Sequence, residues 1–310
     1  MSTSPPSGPV LEDTSVLLLT FRHGDFVREA IHSLLHQSRP PGELIVSDDL
    51  SPDHTWDEIQ AVAADYDGPC RLVIRQNSRR RGAPGNRYAA WQAATRRFIV
   101  YAHGDDMALP HRLERLHHAW TTTGASTLSS DAWHYWDGTR TDRNVVERCG
   151  DRAIGLEELS DAPFMPHLLG ATLAMDRAVC ERFPATMPPG DRGPSPGDLV
   201  LPFRGAMLGG HYYIDEPLID WRRHPGQSTA RYFHLEANNA DAPREALETF
   251  FVFGLLQRMR DIQHYRQSPH DPEKARLAQR LTFNTWLKRV SLWAGARQRL
   301  EAAGWTQTWS

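Results

Sequence analysis

The sequence predicts an α/β fold: an open, mostly parallel sheet flanked by helices, with a helical extension at the C-terminus. Between residues 15 and 102, short apolar segments alternate with amphipathic ones, as parallel strands joined by right-handed crossover helices do. The 310 residues are enough for one large domain with a small appendage. The tail from about Ala242 onward has helical character, interrupted at Pro269 to Pro272.

The first half of the chain alternates strand and helix in order. Ser15–Thr20 is an apolar run typical of a strand buried on both faces. The next segment, Asp25–His36, has a single apolar stripe and ends before Pro40, so it predicts a helix. The remaining predicted strands are Glu43–Ser47, Arg71–Arg75 and Phe98–Ala102, and the remaining helices are Thr55–Ala64 and Gly85–Arg96.

The second half is less regular. Residues 184–197 contain five prolines and three glycines, which predicts a loop long enough to act as a lid. The predicted elements are a strand and turn at Trp133–Trp136, a short helix at Gly155–Asp161, a strand at Gly170–Ala174, a helix at Asp198–Leu208 and a strand at Tyr212–Trp221.

Composition excludes several classes of protein. The net charge of -3 does not suit a protein built mainly to coat nucleic acid. Three widely spaced cysteines argue against a disulfide framework or a zinc ribbon. The longest apolar run, residues 250–256, is far too short to span a bilayer, and the N-terminus lacks the pattern of a signal peptide. We therefore expect a cytoplasmic protein with a disordered segment at residues 1–13.

Two acidic pairs follow predicted strands, Asp48-Asp49 and Asp105-Asp106. Because the carboxyl ends of parallel strands meet at one edge of the sheet, both pairs are expected there, where ligands of such sheets bind. One interpretation is a divalent metal or a hydroxyl-rich ligand; the other is turn and helix-capping chemistry, which aspartate also favours.

Motifs for other chemistry fail. Residues 193–197 match G-x-S-x-G, but Pro196 has no N–H to donate to an oxyanion. The first strand is followed by neither a P-loop nor a dinucleotide-binding glycine pattern.

Five segments together resemble inverting family 2 glycosyltransferases of the GT-A fold. They are Ser15–Arg22, Glu43–Ser51, Asn77–Arg87, Phe98–Leu113 and Glu216–Ser228. The resemblance implies a catalytic domain at 14–235, with a nucleotide-binding half at 14–110 and an acceptor half at 111–235, before a helical region at 236–310. It also implies transfer of a sugar, with inversion, from a nucleotide diphosphate to an acceptor hydroxyl.

The resemblance also implies roles for individual residues. Thr20, Phe21 and Arg22 would line the nucleoside pocket, and Asp49 would accept an N–H of the base. Asp106 would bind Mg²⁺ or Mn²⁺, with Asp105 as a ribose or second metal contact and His224 completing the metal or phosphate shell. Two departures from the commoner pattern are His103-Gly104 before these acids and Gly197 where a glutamate is usual.

The diphosphate has two groups of candidate contacts. The arginine-rich turn that contains Asn77, Gly82 and Asn86 would cradle it, or would simply form a solvated basic face. Arg222 or Arg223 would neutralise the leaving group.

A carboxylate must also take the proton of the acceptor hydroxyl. Asp198 stands where the family has its base, at a predicted helix start where it would also serve as an N-cap. Asp191 and Asp220 are rival candidates. Trp133, Trp136 and Trp221 would stack on sugar rings or belong to the core.

Other functions and partners stay open. A sugar nucleotidyltransferase and a catalytically inactive module that binds sugar nucleotides or glycans are the alternatives. We expect a glycan, lipid-linked or small-molecule acceptor and no nucleic acid. The basic, amphipathic segment Glu273–Glu301 would either lie on the inner face of an anionic membrane or pack on the catalytic domain.

Overall fold

The computed structural model describes residues 8–161, 166–183, 197–227, 241–267 and 271–288. Ten strands form a single sheet over this part of the chain, in the order β3-β2-β1-β4-β9-β6-β10-β5, with β7 beside β6 and β8 beside β10. The strands are β1 (Leu11–Thr20), β2 (Pro41–Asp48), β3 (Arg71–Gln76), β4 (Phe98–His103), β5 (Met107–Ala108), β6 (Thr127–Trp136), β7 (Thr139–Arg143), β8 (Arg152–Ile154), β9 (Ala174–Asp176) and β10 (His211–Arg222).

Helices cover both faces of the sheet. Two short 3₁₀ turns, Pro166–Leu168 and Gly170–Thr172, precede β9. The α-helices are α1 (Val27–Leu35), α2 (Thr55–Asp65), α3 (Gly82–Ala93), α4 (Arg112–Thr123), α5 (Leu156–Asp161), α6 (Ala178–Glu181), α7 (Gly197–Leu208), α8 (Asp241–Tyr265) and α9 (Pro272–Lys288).

Pairing within the sheet is parallel in the first half and mixed in the second. β1 pairs in parallel with β2 and β4, and β2 with β3. β9 is antiparallel to both β4 and β6, whereas β6 and β10 are parallel. The predicted open, mostly parallel sheet with a helical extension is confirmed.

Burial on both faces of β1 explains the apolar run Val16–Leu19 within this strand. Val16 and Leu18 belong to the core beneath α1, α2 and α4, while Leu17 belongs to the core beneath α3, α6 and α7. All three side chains are fully buried, and each stabilises the fold by about 1.5–3 kcal/mol.

Three expectations about local structure are wrong. Leu11–Asp13, expected to be disordered, belong to β1, where Leu11 is buried opposite Pro41. Gly170–Thr172 forms a 3₁₀ turn rather than a strand, since the amide of Thr172 turns back to the carbonyl of Leu169. Helix α3 begins at Gly82 instead of Gly85 because the carboxylate of Asp49 accepts the first free amides of that helix.

The C-terminal helices pack against α7 and the second half of the sheet. Ile262 and Tyr265 of α8 and Ala278 of α9 share a core with Phe203 of α7. A buried ion pair between Arg204 and Asp261, with both N–O distances at 2.7 Å, joins α7 to α8. The packing interpretation is therefore confirmed for residues 275–281 of α9. No helix within the described residues combines the length and hydropathy needed to cross a membrane.

Candidate active site

The register of the parallel strands brings three chain segments to one edge of the sheet. Thr20, the last residue of β1, lies opposite Asp48, the last residue of β2. On the other side of β1, Leu19 lies opposite His103 at the end of β4. The turns that follow these strands therefore lie side by side, as expected for the acidic pairs.

His103, Asp105 and Asp106 form a compact cluster of metal-ligand types. One ligand atom from each lies within 4.8 Å of the others, and no other such group occurs among the residues that the structure describes. Asp106 is buried; its Oδ1 accepts the backbone N–H of Arg222 at 3.0 Å, while its Oδ2 has no hydrogen-bond partner. Burial and the nearby charge of Asp105 raise the pKa of Asp106 well above its usual value.

Asp105 has the opposite electrostatic environment. Its Oδ2 lies 3.2 Å from Nε2 of His224 and 3.6 Å from Nε2 of His23. Burial alone would raise the pKa of Asp105, but the attraction of His23 and the hydrogen bond from His224 outweigh it and hold that pKa below its usual value. Burial lowers the pKa of His103 to about 4, so this imidazole is neutral at pH 7 and has a lone pair for a cation.

Packing explains the glycine before the acidic pair. A Cβ at Gly104 would lie 2.8 Å from Nδ1 of His23 and 2.9 Å from Cβ of Thr20. The amide of Gly104 also bonds to the carbonyl of Leu19. Glycine thus allows the acidic turn to lie directly on the end of β1.

Arg222 and Arg223 have different surroundings. Arg222 donates from Nε to the carbonyl of Asp105 at 2.9 Å and from Nη2 to Glu29 at 2.6 Å, so its charge is already balanced. Arg223 stacks on Trp221 at 4.4 Å and forms no ion pair within 4 Å among the described residues. Burial lowers the pKa of Arg223, against the attraction of Asp106.

Asp49, Asn77 and Asn86 form a buried network under the arginine-rich turn. Asp49 accepts hydrogen bonds from the amide of Gly82 and from Nδ2 of Asn77, both at 2.8 Å, and from the amide of Arg81. Asn77 also donates to Asn86, whose amide bonds in turn to the backbone of β2. Three of the roughly four acceptor positions of the Asp49 carboxylate are occupied, which leaves one for the predicted base contact.

The predicted nucleoside residues line the outer end of β1. Thr20 is buried and its hydroxyl lies 3.3 Å from Asp48. The ring of Phe21 faces the guanidinium of Arg80 at 4.1 Å. Arg22 is exposed and has a left-handed backbone with φ of 60°, and its amide bonds to the hydroxyl of Ser51.

Asp198 lies in the first turn of α7, on the other side of the site. Its carboxyl carbon is 3.5 Å from the position of a Cβ on Gly170. Burial raises the pKa of Asp198 to about 6, against the attraction of Arg87. The guanidinium of Arg87 lies against Gly197, so a side chain at this position would have to displace the end of the arginine. The positive charge of Arg87 also helps to lower the pKa of His103.

The structure does not favour either of the rival candidates for the base, Asp220 and Asp191. Asp220 forms a two-fold ion pair with Arg140 at 2.5 and 2.9 Å, so it is already engaged. Asp191, Ser228 and the loop at 184–196 lie outside the described residues. Among the tryptophans, Trp221 is buried, Trp133 is half-buried and Trp136 is 56% exposed.

Sequence reasoning missed several residues of this site. His23 and Glu29 follow β1 and hold Asp105 and Arg222, and Arg87 faces Asp198. Arg112 is 1% exposed and lies beneath Asp106. Of these residues, only His23 could have been predicted from the sequence, because it comes three residues after the end of a parallel strand.

Comparisons with known proteins identify the family of this chain. The model of the family described as Glycosyl transferase family 2 matches residues 15–171. UDP-Glc:alpha-D-GlcNAc-diphosphoundecaprenol beta-1,3-glucosyltransferase WfaP of Escherichia coli is 29% identical over 31% of this chain and 36% of its own length. The chain spans less than two fifths of the length of the curated relatives it matches.

Solved structures show the same fold at low sequence identity. The crystal structure of residues 1–349 of S. aureus TarS with UDP-GlcNAc superposes with a TM-score of 0.57 at 15% identity, over 94% of this chain and 83% of that one. Mannosyltransferase PcManGT of Pyrobaculum calidifontis, with GDP-Man and Mn²⁺, gives 0.58 at 16% identity, over 99% and 79%.

Proposed function

Because this chain belongs to glycosyl transferase family 2, we propose that it transfers a sugar, with inversion, from a nucleotide diphosphate to an acceptor hydroxyl, and that a divalent cation assists. The observation that carries this proposal is the buried Oδ2 of Asp106, which accepts no hydrogen bond and lies beside Asp105 and His103. A buried carboxylate oxygen without a donor is costly unless a ligand satisfies it.

The cluster fits Mg²⁺ or Mn²⁺ chemically. Oxygen ligands from one or two carboxylates suit these ions, which usually complete their shell with phosphate oxygens and water. Asp106 and Asp105 would hold the cation, with His103 or His224 beside them. A bound cation would supply positive charge to the departing diphosphate.

The chain's own residues then divide the chemistry. Asp198 accepts the proton of the acceptor hydroxyl as the oxygen of that hydroxyl bonds to the anomeric carbon. The bond from that carbon to the phosphate oxygen breaks, and its electron pair leaves with the nucleoside diphosphate. A base with a pKa near 6 is deprotonated at pH 7 and still basic enough to assist. Arg223, which forms no ion pair in the described chain, neutralises the leaving group.

The comparisons support a class of donor and acceptor. The two solved neighbours bind UDP-GlcNAc and GDP-Man, which supports a nucleotide sugar held by Thr20, Phe21, Arg22 and Asp49. The name of the Escherichia coli relative describes a lipid diphosphate acceptor, which supports a glycan or lipid-linked acceptor. We assign donor binding to residues 14–110 and acceptor binding to residues 111–235.

The test is turnover by the purified chain. UDP-, GDP- and dTDP-sugars are offered with MnCl₂, MgCl₂ or EDTA, and released nucleoside diphosphate is measured with and without glycan and polyprenyl diphosphate acceptors. Metal-dependent release is expected with one donor class. Pyrophosphate formation from a nucleoside triphosphate and a sugar phosphate would instead favour a nucleotidyltransferase. Thermal stabilisation by a sugar nucleotide without any turnover would favour a binding module.

A further inference from the structure

Arg112, the first residue of α4, is one of the most deeply buried side chains in the described chain. It is 1% exposed. Burial lowers the pKa of its guanidinium to about 10, which leaves it charged at neutral pH. Burial of an arginine whose guanidinium had no hydrogen-bond partners would lower the stability of the folded protein. Its hydrogen bonds identify the role of Arg112.

The guanidinium connects two backbone segments at a point beyond the end of the ladder that pairs β4 with β9. Nη2 donates to the carbonyl of Tyr101 in β4 at 2.6 Å and to the carbonyl of Ala171 in the 3₁₀ turn at 2.8 Å. The ladder between β4 and β9 has its last pair at Val100 and Ala174, and the amide of Tyr101 then reaches the carbonyl of Leu173. Beyond that point the turn diverts the chain, so two buried carbonyls need another donor.

Each joined segment leads to one half of the site. Two residues after Tyr101, β4 ends at His103, and Asp105 and Asp106 follow. The 3₁₀ turn contains Gly170, which lies against the carboxylate of Asp198. In that same turn, Ala171 packs with Trp221, next to Arg222.

We propose that Arg112 is a positioning residue that sets the separation between the Asp105-Asp106 turn and Asp198. This inference rests on the proposed function, because only a transferase needs these two groups in register. Small misplacements of catalytic groups are costly: about 1 Å can reduce a rate about 100-fold. Both bonds come from Nη2, at the far end of the long arginine side chain, and the shorter side chain of lysine does not bring its ammonium to the same point.

The experiment compares Arg112→Met, Arg112→Lys and Leu116→Ala. Leu116 is fully buried on the same helix but faces the core beneath α1 and α2, so its truncation destabilises the fold without touching the two carbonyls. The readouts are kcat, the donor KM, thermal stability, and amide hydrogen exchange of peptides covering residues 98–106 and 169–176.

For Arg112→Met we expect about a 100-fold loss of kcat with little change in donor KM, and about tenfold faster exchange in residues 169–176. Arg112→Lys should be intermediate. Leu116→Ala should lose as much thermal stability as Arg112→Met but retain the kcat of the wild type. Unchanged kcat in Arg112→Met, or an equal loss in Leu116→Ala, would overturn the proposal.

Hydrogen exchange separates this proposal from the proposed function. If the wild-type chain transfers no sugar, the proposed function fails, and exchange alone then decides whether Arg112 ties the two segments together. Exchange in residues 169–176 that is the same in Arg112→Met and wild type refutes the tie, whatever the activity.

Discussion

The backbone amide of Arg222 donates a hydrogen bond to Oδ1 of Asp106 at 3.0 Å, although 116 residues separate them. The end of β10 is therefore fastened to the acidic turn after β4. Since this bond occupies Oδ1, Oδ2 is the oxygen left without a hydrogen-bond partner. The orientation of the Asp106 carboxylate is thus determined by a hydrogen bond from the backbone and not by a mobile side chain.

Replacing Asp106 with Asn should abolish metal-dependent turnover while preserving the fold. We expect about a thousandfold loss of kcat, because a bound cation contributes several kcal/mol to stabilisation of the leaving group. The amide has no charge to hold a cation, so stabilisation by Mn²⁺ in a thermal melt should also disappear. Asp57→Asn, an exposed acid on α2, is the control. Wild-type turnover in Asp106→Asn would remove this residue from the mechanism.

The pH dependence of turnover should reflect Asp198. Because burial raises its pKa to about 6, kcat should rise as pH increases through 6 and level off above 7. Asp198→Asn should lower kcat by about 10²–10⁴-fold and remove this limb of the profile. A limb near pH 6 that survives in Asp198→Asn would assign the base to another residue.

Stability should change with pH in the opposite sense. The folded pKa of Asp198 lies above its usual value of 3.8, so its contribution to stability is fully present at low pH and is lost as pH rises through 6. Asn mimics the protonated form. Asp198→Asn should therefore stabilise the protein above pH 6, on the order of 1 kcal/mol, and have little effect near pH 4. Urea unfolding at both pH values is the measurement.

Substitutions of the adjacent residues Arg222 and Arg223 should have different effects on donor kinetics and on stability. Arg223→Ala should lower kcat/KM for the donor by about 10- to 100-fold with little loss of stability, because its guanidinium forms no ion pair in the described structure. Arg222→Ala should lower thermal stability as well, since it breaks bonds to Glu29 and to the carbonyl of Asp105. Donor kinetics and melting curves of both variants decide the matter. The reverse pattern would assign the leaving group to Arg222.

The sequence predicts the framework of this site well because apolar runs determine where strands end. β1, β2 and β4 end within one residue of their predicted ends, which places Thr20, Asp48 and His103 at one edge. The capping role of Asp49 could not be predicted, since its partners Arg81 and Gly82 are more than thirty positions away.

The burial of charged side chains is a second feature that could not be predicted from the sequence. Arginine is usually exposed, so nothing local marks Arg112 as buried. Its two acceptors belong to β4 and to a turn 59 residues downstream, and they become neighbours only when the sheet forms. Similarly, the contact of Gly197 with the guanidinium of Arg87 forms only when the fold brings α3 and α7 together.

The glycine before the acidic pair offers a test of how tightly that turn must be packed. In Gly104→Ala the new methyl would meet Cβ of Thr20 at 2.9 Å and Nδ1 of His23 at 2.8 Å. His23 could shift, but Thr20 is anchored in β1, so we expect a destabilisation of about 1–3 kcal/mol. Because displacing His23 also disturbs Asp105, the concentration of Mn²⁺ needed for half-maximal turnover should rise.

Gly155→Ala is the matched control for this substitution. The nearest atom to a Cβ there is a carboxylate oxygen of Glu157 at 3.5 Å, an ordinary contact. Both variants are compared by urea unfolding and by titration of turnover with Mn²⁺. Equal stability and equal Mn²⁺ dependence in the two variants would show that the acidic turn has room to move, and that the contact of Gly104 with Thr20 and His23 does not hold Asp105 in place.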